Sequence, residues 1–97
     1  MTEKEAKKEA MRRALKVDPT VHIGKDGLKD SVLGEIENQL KKNRLIKVRL
    51  LSTAEGETNK IVNTIADATQ SEVIDTRGGV AIVMDKRAWT SLCQKKF

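Results

Sequence analysis

The sequence is poor in aromatic side chains, which make up 2% of its 97 residues. Trp89 and Phe97 are the aromatic residues, and tyrosine is absent. Proteins that hold unpaired nucleic-acid bases usually stack them on aromatic rings. A function that depends mainly on base stacking against aromatic side chains is therefore excluded.

The chain also has one cysteine, one proline and no long apolar run. Because Cys93 has no second cysteine to pair with, no intramolecular disulfide can form, which is compatible with a reducing compartment. No apolar run has the length needed to span a bilayer, and the opening residues, MTEKEAKKEA, lack the apolar segment of a signal peptide. We therefore expect a cytoplasmic protein that does not bind a membrane.

Positive charge is in excess, because nineteen Lys and Arg residues face fourteen Asp and Glu residues, for a formal net charge of +5. This balance predicts an acidic partner, with nucleic acid ahead of a membrane because no strongly apolar helix face accompanies the basic residues. Hydrophobic residues are 38% and charged residues 34% of the chain, which is typical of a soluble globular domain. Its length predicts a single domain, residues 1–97, without a second cofactor-binding lobe.

Apolar residues at helical spacing predict three helices. The second helix covers residues 29–43, and the third begins at a capping box formed by residues 52–55. The first helix, residues 3–16, has a stripe of alanines and carries its basic residues mostly away from that stripe. The residues that define these helices are Ala6, Ala10 and Ala14 with Lys8, Arg12 and Arg13 in the first, Leu28, Val32, Leu33, Ile36 and Leu40 in the second, and Ile61, Ile65 and Ala68 in the third.

Strand patterns alternate with these helices, so the predicted order is helix-strand-helix-strand-helix-strand-strand. The strands are residues 20–23, 45–51, 72–76 and 80–84, and the last is apolar on both faces, which is typical of a central strand. Strand-helix-strand connections place the second and third helices on one face of the sheet. The short turn Arg77-Gly78-Gly79 makes the last two strands antiparallel. In the second strand, Lys47 and Arg49 form a basic face opposite an apolar one.

A loop with two glycines, Gly24-Lys25-Asp26-Gly27, joins the first strand to the second helix. It lacks the length and the hydroxyl of a nucleotide-binding P-loop and the third glycine of a dinucleotide fingerprint. Two interpretations stay open: a GXXG clamp that lets a nucleic-acid backbone approach closely, or a sharp turn in which glycines supply positive φ. Lys25 adds positive charge, and the helix that begins near Lys29 has no good N-cap residue, so its amide groups favour an anion.

No catalytic constellation is present. His22 stands alone on its strand, and neither it nor Cys93 has partners at the spacing of a metal or catalytic site. The carboxylates are explained by capping and local charge balance. We expect a protein that is not an enzyme and that needs no cofactor, metal or small-molecule substrate.

Two segments together carry a family resemblance: Val21-His22-Ile23-Gly24-Lys25-Asp26-Gly27-Leu28 and Leu45-Ile46-Lys47-Val48-Arg49. With the apolar positions between them, they resemble the CRM domain, the chloroplast RNA splicing and ribosome maturation module. The resemblance implies an α/β two-layer sandwich with a mixed four-stranded sheet, similar to the C-terminal domain of translation initiation factor 3. It also implies RNA binding through the GXXG loop. Single-domain prokaryotic members are associated with precursors of the large ribosomal subunit.

We therefore expect a monomeric, non-catalytic protein that binds structured ribosomal RNA during assembly of the large subunit. The chain departs from many members in having Lys29 at the helix start, where they have Thr, and Met84-Asp85 where an aromatic and a basic residue are common. The alternatives are a module that binds an acidic ribosomal or assembly protein, and a duplex-DNA binder. The expected RNA-binding residues are Lys8, Arg12, Arg13, Gly24, Lys25, Asp26, Gly27, Lys29, Lys47 and Arg49.

Overall fold

The computed structural model describes residues 2–24, 27–51 and 55–94. The predicted order of helices and strands is confirmed, and it is followed by a further helix, α4, that the sequence did not predict. The predicted capping box depends on residues 52–54, which lie outside the described residues. The elements are α1 (Glu3–Ala14), β1 (Val21–Ile23), α2 (Asp30–Asn43), β2 (Leu45–Leu50), α3 (Glu55–Thr69), β3 (Ser71–Arg77), β4 (Val80–Asp85) and α4 (Lys86–Gln94).

The four strands form one mixed sheet in the order β1-β2-β4-β3. β1 runs parallel to β2, and β4 is antiparallel to both of its neighbours. The prediction that β4 is central is confirmed, because it lies between β2 and β3. The crossover through α3 therefore joins two strands that point in the same direction but are separated by β4.

One face of the sheet is covered by α2 and α3, as predicted. The α2 stripe is confirmed, since Ile36 and Leu40 are fully buried there. The predicted α3 is confirmed: Ile65 is buried in it, whereas Ala68 is exposed and the adjacent Thr69 is buried. Thr69 tolerates burial because its hydroxyl donates to the backbone oxygen of Ile65 at 2.6 Å. The buried cluster on this face contains Val21, Ile23, Ile36, Leu40, Ile46, Val48, Leu50, Val62, Ile65, Ala81 and Val83.

The opposite face is covered in part by α1 and α4. The sheet with α2 and α3 forms the predicted two-layer sandwich, and these two helices add a partial layer to it. The alanine stripe of α1 lets its backbone come close to the strands, and Trp89 and Leu92 pack from α4. The buried cluster on this face contains Ala6, Ala10, Ala14, Leu45, Ile74, Ile82, Met84 and Leu92.

The first turn of α1 is closed by a reciprocal capping box between Thr2 and Glu5. The backbone amide of Thr2 donates to the Glu5 carboxylate at 3.1 Å, and the Thr2 hydroxyl donates to the same oxygen at 3.0 Å. These hydrogen bonds favour the ionised carboxylate and lower the pKa of Glu5. The box fixes the beginning of α1 on the surface of the domain.

The two ends of the sheet differ in how the second face is covered. We call the loop end the part where β1, β2 and β3 finish and β4 begins, and the far end the part where β2 and β3 begin and β4 finishes. The cluster under α1 and α4 contains Leu45 and Met84 at the far end. At the loop end of the same face, His22, Arg49 and Arg77 are exposed. Of the helices that the structure describes, none is both long enough and apolar enough to cross a membrane.

Candidate nucleic-acid interface

The two glycines of the loop have different structural roles. The amide of Gly27 donates to the carbonyl of Gly24 at 3.1 Å, which closes a tight turn after β1. Gly27 has φ of +72°, a conformation that side-chain-bearing residues rarely adopt. Gly24 does not have a positive φ, and a Cβ placed on it meets nothing within 4 Å. Turn geometry therefore explains the glycine at position 27 but not the one at position 24.

The middle of this loop, Lys25 and Asp26, lies outside the described residues. Their roles in binding stay predictions. The described parts on either side fix where the loop begins and ends: it leaves the sheet at the end of β1 and enters the start of α2. It therefore belongs to the loop end of the sheet.

The start of α2 is closed by backbone hydrogen bonds. Lys29 is the N-cap residue, and its carbonyl accepts from the amides of Val32 and Leu33, both at 3.0 Å. The Lys29 side chain makes no capping hydrogen bond, as the sequence predicted. The dipole of the helix and the exposed Lys29 both favour an anion at this position, and the carboxylate of Asp30 in the first turn opposes it.

Backbone hydrogen bonds bring three chain segments together at the loop end. The amide of Leu51 donates to the carbonyl of Ile23 at 2.7 Å, directly before the glycine loop. The amide of Leu50 donates to the carbonyl of Gly79 at 2.6 Å, in the turn between β3 and β4. The loop, the end of β2 and the β3-β4 turn are therefore neighbours.

Three basic or polar side chains align across this end of the sheet. The strand register pairs His22 with Arg49, Arg49 with Val80, and Val80 with Arg77. Side chains of paired residues point to the same face, and neighbouring strands are about 4.8 Å apart. His22, Arg49 and Arg77, which we call the arginine row, therefore cross the sheet on its open face.

The environment of the row is predominantly cationic. Arg77 has a side chain that is 78% exposed, and its Nε donates to Asp75 Oδ2 at 2.7 Å. Lys47 lies two residues before Arg49 on β2, on the same face, and is half-buried. The structure thus places the predicted residues Lys47 and Arg49 on one surface, and Arg77 joins them. Sequence reasoning missed the row because its members come from three strands whose register no local pattern reveals.

The basic residues predicted on α1 occupy a different surface. Lys8 and Arg12 lie two residues from the alanine stripe, on the outer side of the helix, and both are exposed. Arg12 and Arg13 both form ion pairs with Glu9, the latter through its Nε at 3.3 Å. Part of the positive charge of this helix is therefore balanced locally.

The chemistry available at the loop end is electrostatic. Among the described residues there is no group of three or more His, Cys, Asp or Glu side chains that could hold a metal ion. The described part of the chain likewise contains no buried side-chain nitrogen or oxygen atom without a hydrogen-bond partner. Exposed guanidinium and ammonium groups around a glycine loop are suited to binding an extended anion.

Comparison with known proteins identifies the family. A model of the CRS1 / YhbY (CRM) domain matches residues 1–84 of the chain. A Haemophilus influenzae protein named "RNA-binding protein" is 33% identical over 67 residues, which are 69% of this chain and 68% of that protein. A Bacillus subtilis protein named "Probable RNA-binding protein YqeI" is 25% identical over 71 residues, which are 73% of this chain and 74% of that protein.

A solved structure extends the similarity to the fold. The solution structure of a hypothetical protein from Staphylococcus aureus, described as "a putative RNA binding protein", matches with a TM-score of 0.75 and 26% sequence identity. The match covers 88% of each chain. The family model spans the glycine loop and the sheet as far as residue 84, and the chain belongs to the CRS1 / YhbY (CRM) domain family.

Proposed function

We propose that this protein binds RNA without catalysis and that the loop end of the sheet is its RNA-binding surface. The observation that carries the proposal is the position of the glycine loop beside the arginine row. The open face has exposed cations at this end of the sheet. The glycine loop, which exposes its backbone, lies at the same end. The relatives that carry the name RNA-binding protein support the choice of ligand.

The binding mode follows from the side chains that this end contains. Nothing lies within 4 Å of a Cβ placed on Gly24, so a phosphate has room to reach the backbone there. Lys25 and Lys29 supply positive charge beside the loop, and the arginine row extends the contact across the sheet. With 2% aromatic residues, contacts to the sugar-phosphate backbone outweigh base stacking. Such contacts favour RNA shape over RNA sequence.

The identity of the RNA is a finer part of the same proposal. Structured ribosomal RNA, bound during assembly of the large subunit, is what the family resemblance implies. The protein acts as a monomer in which residues 1–97 form one domain. Lys8, Arg12 and Arg13 make a smaller contribution, because two of them are already paired with Glu9 and all lie on α1.

The test is fluorescence anisotropy with a folded fragment of large-subunit ribosomal RNA, measured at several salt concentrations. Lys25→Asp removes a positive charge from the loop, so we expect weaker binding and a salt slope that is shallower by about 0.7 to 0.9 for each lost phosphate contact. Lys60→Asp is the matched control, because Lys60 is exposed on α3, which covers the face of the sheet opposite the arginine row. Gly24→Ala is a second probe: it leaves the fold unchanged while obstructing the approach to the backbone.

Three outcomes would contradict the proposal. Equal losses of RNA affinity in Lys25→Asp and Lys60→Asp would show that net charge, and not the loop, controls binding. Equal competition by duplex DNA would point to nonspecific electrostatics. Retention of a cellular partner after ribonuclease treatment, without binding of the purified protein to RNA, would favour a module that recognises an acidic protein.

A further inference from the structure

A second cationic site lies at the far end of the sheet, away from the glycine loop. A cleft there is lined by the end of α2, the end of α3 and the junction of β4 with α4. Its charged side chains are the cations Lys41, Arg44, Lys86 and Arg87 and the carboxylates Glu37 and Asp85, which leaves a positive excess.

The carboxylates of the cleft are matched to two of these cations. Arg44 Nη1 lies 3.4 Å from Asp85 Oδ2, and Lys41 Nζ lies 3.6 Å from Glu37 Oε1. Lys86 and Arg87 are both exposed, and neither forms an ion pair within residues 2–24, 27–51 and 55–94. The excess positive charge of this cleft therefore lies at the first turn of α4, where Lys86 also lines a neighbouring cleft that contains Asp67 and Glu72.

The backbone around the cleft adopts left-handed conformations without glycine. Arg44, directly after α2, has φ of +68°, and Gln70, directly after α3, has φ of +50°. Glycine is the usual residue in this conformation at the end of a helix, and any other residue costs about 1 kcal/mol there. Both side chains line the cleft. The chain thus keeps a long polar side chain at two positions where glycine is the more stable choice.

These two residues also hold the cleft together. The carbonyl of Arg44 accepts from the amide of Asp85 at 2.7 Å, and the carbonyl of Gln70 accepts from the amide of Lys86 at 3.2 Å. The amides of Asp85 and Lys86, at the junction of β4 with α4, are therefore hydrogen-bonded to the residues that directly follow α2 and α3. Because these hydrogen bonds fix the backbone that carries the cations, less conformational entropy is lost when a ligand binds.

A second cleft adjoins the first and shares two of its cations. Gln70, Lys86 and Arg87 also line a second cleft, together with Thr90, Ser91 and Gln94, in which no carboxylate takes part. Cations next to hydroxyl and amide groups match the phosphates and 2′-hydroxyls of RNA.

We propose that the far-end cleft is a second site for the RNA sugar-phosphate backbone, used by the same RNA that the loop end binds. This inference rests on the function proposed above. Five residue steps along β2 separate the two ends, which corresponds to about 17 Å. A short segment of RNA, either an extended strand or a duplex, can span that distance, so one RNA can touch both sites at once.

The experiment compares Lys86→Glu with Lys60→Glu, since each variant reverses one exposed lysine on a helix and changes net charge equally. The probe is an RNA hairpin with a stem of about 16 base pairs, a length that other double-stranded RNA readers span. We expect Lys86→Glu to weaken binding about tenfold and to reduce the salt slope by about 1, with a much smaller loss in Lys60→Glu. In the wild type, amide signals of Lys86, Arg87 and Ser91 should shift when the hairpin is added.

The outcomes separate the two proposals. If Lys25→Asp weakens hairpin binding but Lys86→Glu behaves like Lys60→Glu, and the amide signals of α4 do not move, the far-end site is refuted and the loop-end function stands. If the wild type does not bind the hairpin or ribosomal RNA at all, both proposals fail. If polyglutamate displaces the hairpin as efficiently as RNA does, the assignment of the cleft to RNA is wrong.

Discussion

The loop end and the far end of the sheet both turn the chain through left-handed backbone conformations, but they use different residues. Among the residues that the structure describes, those with positive φ are Gly27, Gly78 and Gly79 at the loop end and Arg44 and Gln70 at the far end. Glycine leaves bare backbone at the surface and relieves strain, while arginine and glutamine keep the strain and present long side chains. The loop end is thus built for close approach of a ligand to the backbone, and the far end for contact by side chains.

The largest effect that tests this comparison is expected at Gly79. Its φ is +77°, and a Cβ there would lie 3.2 Å from the carbonyl oxygen of Leu50, which is backbone and has little freedom to move. Gly79→Ala should therefore lower the free energy of unfolding by about 3 kcal/mol through combined steric crowding and strain. Urea denaturation followed by circular dichroism measures the loss.

Gly78→Ala is the matched control for that substitution. Gly78 has φ of +53°, but a Cβ there meets nothing within 4 Å, so only the left-handed conformation is penalised. We expect a loss of about 1 kcal/mol. Equal losses in both variants would mean that the contact with Leu50 is not what requires glycine in the turn between β3 and β4.

At the far end, substitutions to glycine are expected to raise the free energy of unfolding. Gln70→Gly removes a side chain from a left-handed position, so the free energy of unfolding should rise by about 1 kcal/mol. Arg44→Gly should gain less, because it also removes the exposed ion pair with Asp85. Both variants should bind the RNA hairpin less tightly, so stability and affinity should change in opposite directions.

Urea midpoints and anisotropy titrations on the same protein samples check this pair of effects. Lower stability in Gln70→Gly would show that the left-handed conformation is not strained. Higher stability with unchanged RNA affinity would show that the glutamine does not serve the cleft. Either result would remove the contrast between the two ends.

Local patterns predicted the elements of the fold, and long-range register decided the rest. The apolar run of β4 indicated a central strand, and Gly78 and Gly79 indicated the turn before it. No local pattern revealed that β4 separates β2 from β3, or that Arg49 and Arg77 fall on one row. The alanine stripe of α1 marked a buried side of the helix but not the sheet face that covers it.

The site was predictable to a similar degree. The two glycines of the loop could be recognised from sequence, but their different roles required the φ of Gly27 and the open space at Gly24. The far-end cleft was missed because its residues come from three helix boundaries. One signal was available: the patterns of α2 and α3 end directly before strands, with Arg44 and Gln70 where glycine is usual.

The smallest expected effect concerns the charge balance of the far-end cleft. Asp85 is the one acidic side chain there that pairs with Arg44 across the sheet, and its Oδ2 also accepts from the amide of Ala88 at 3.4 Å. Asparagine caps helices as well as aspartate does, so Asp85→Asn should change the free energy of unfolding by less than about 1 kcal/mol.

The same variant should strengthen binding of the RNA hairpin, because Arg44 loses its competing carboxylate and the cleft gains one unit of positive charge. A charge about 7 Å from a phosphate in water is worth about 0.6 kcal/mol, which corresponds to roughly threefold in affinity. Asp18→Asn, which removes an exposed carboxylate from the connection between α1 and β1, is the matched control. If both variants gain affinity equally, net charge accounts for the effect, and the far end is no more than part of a generally cationic surface.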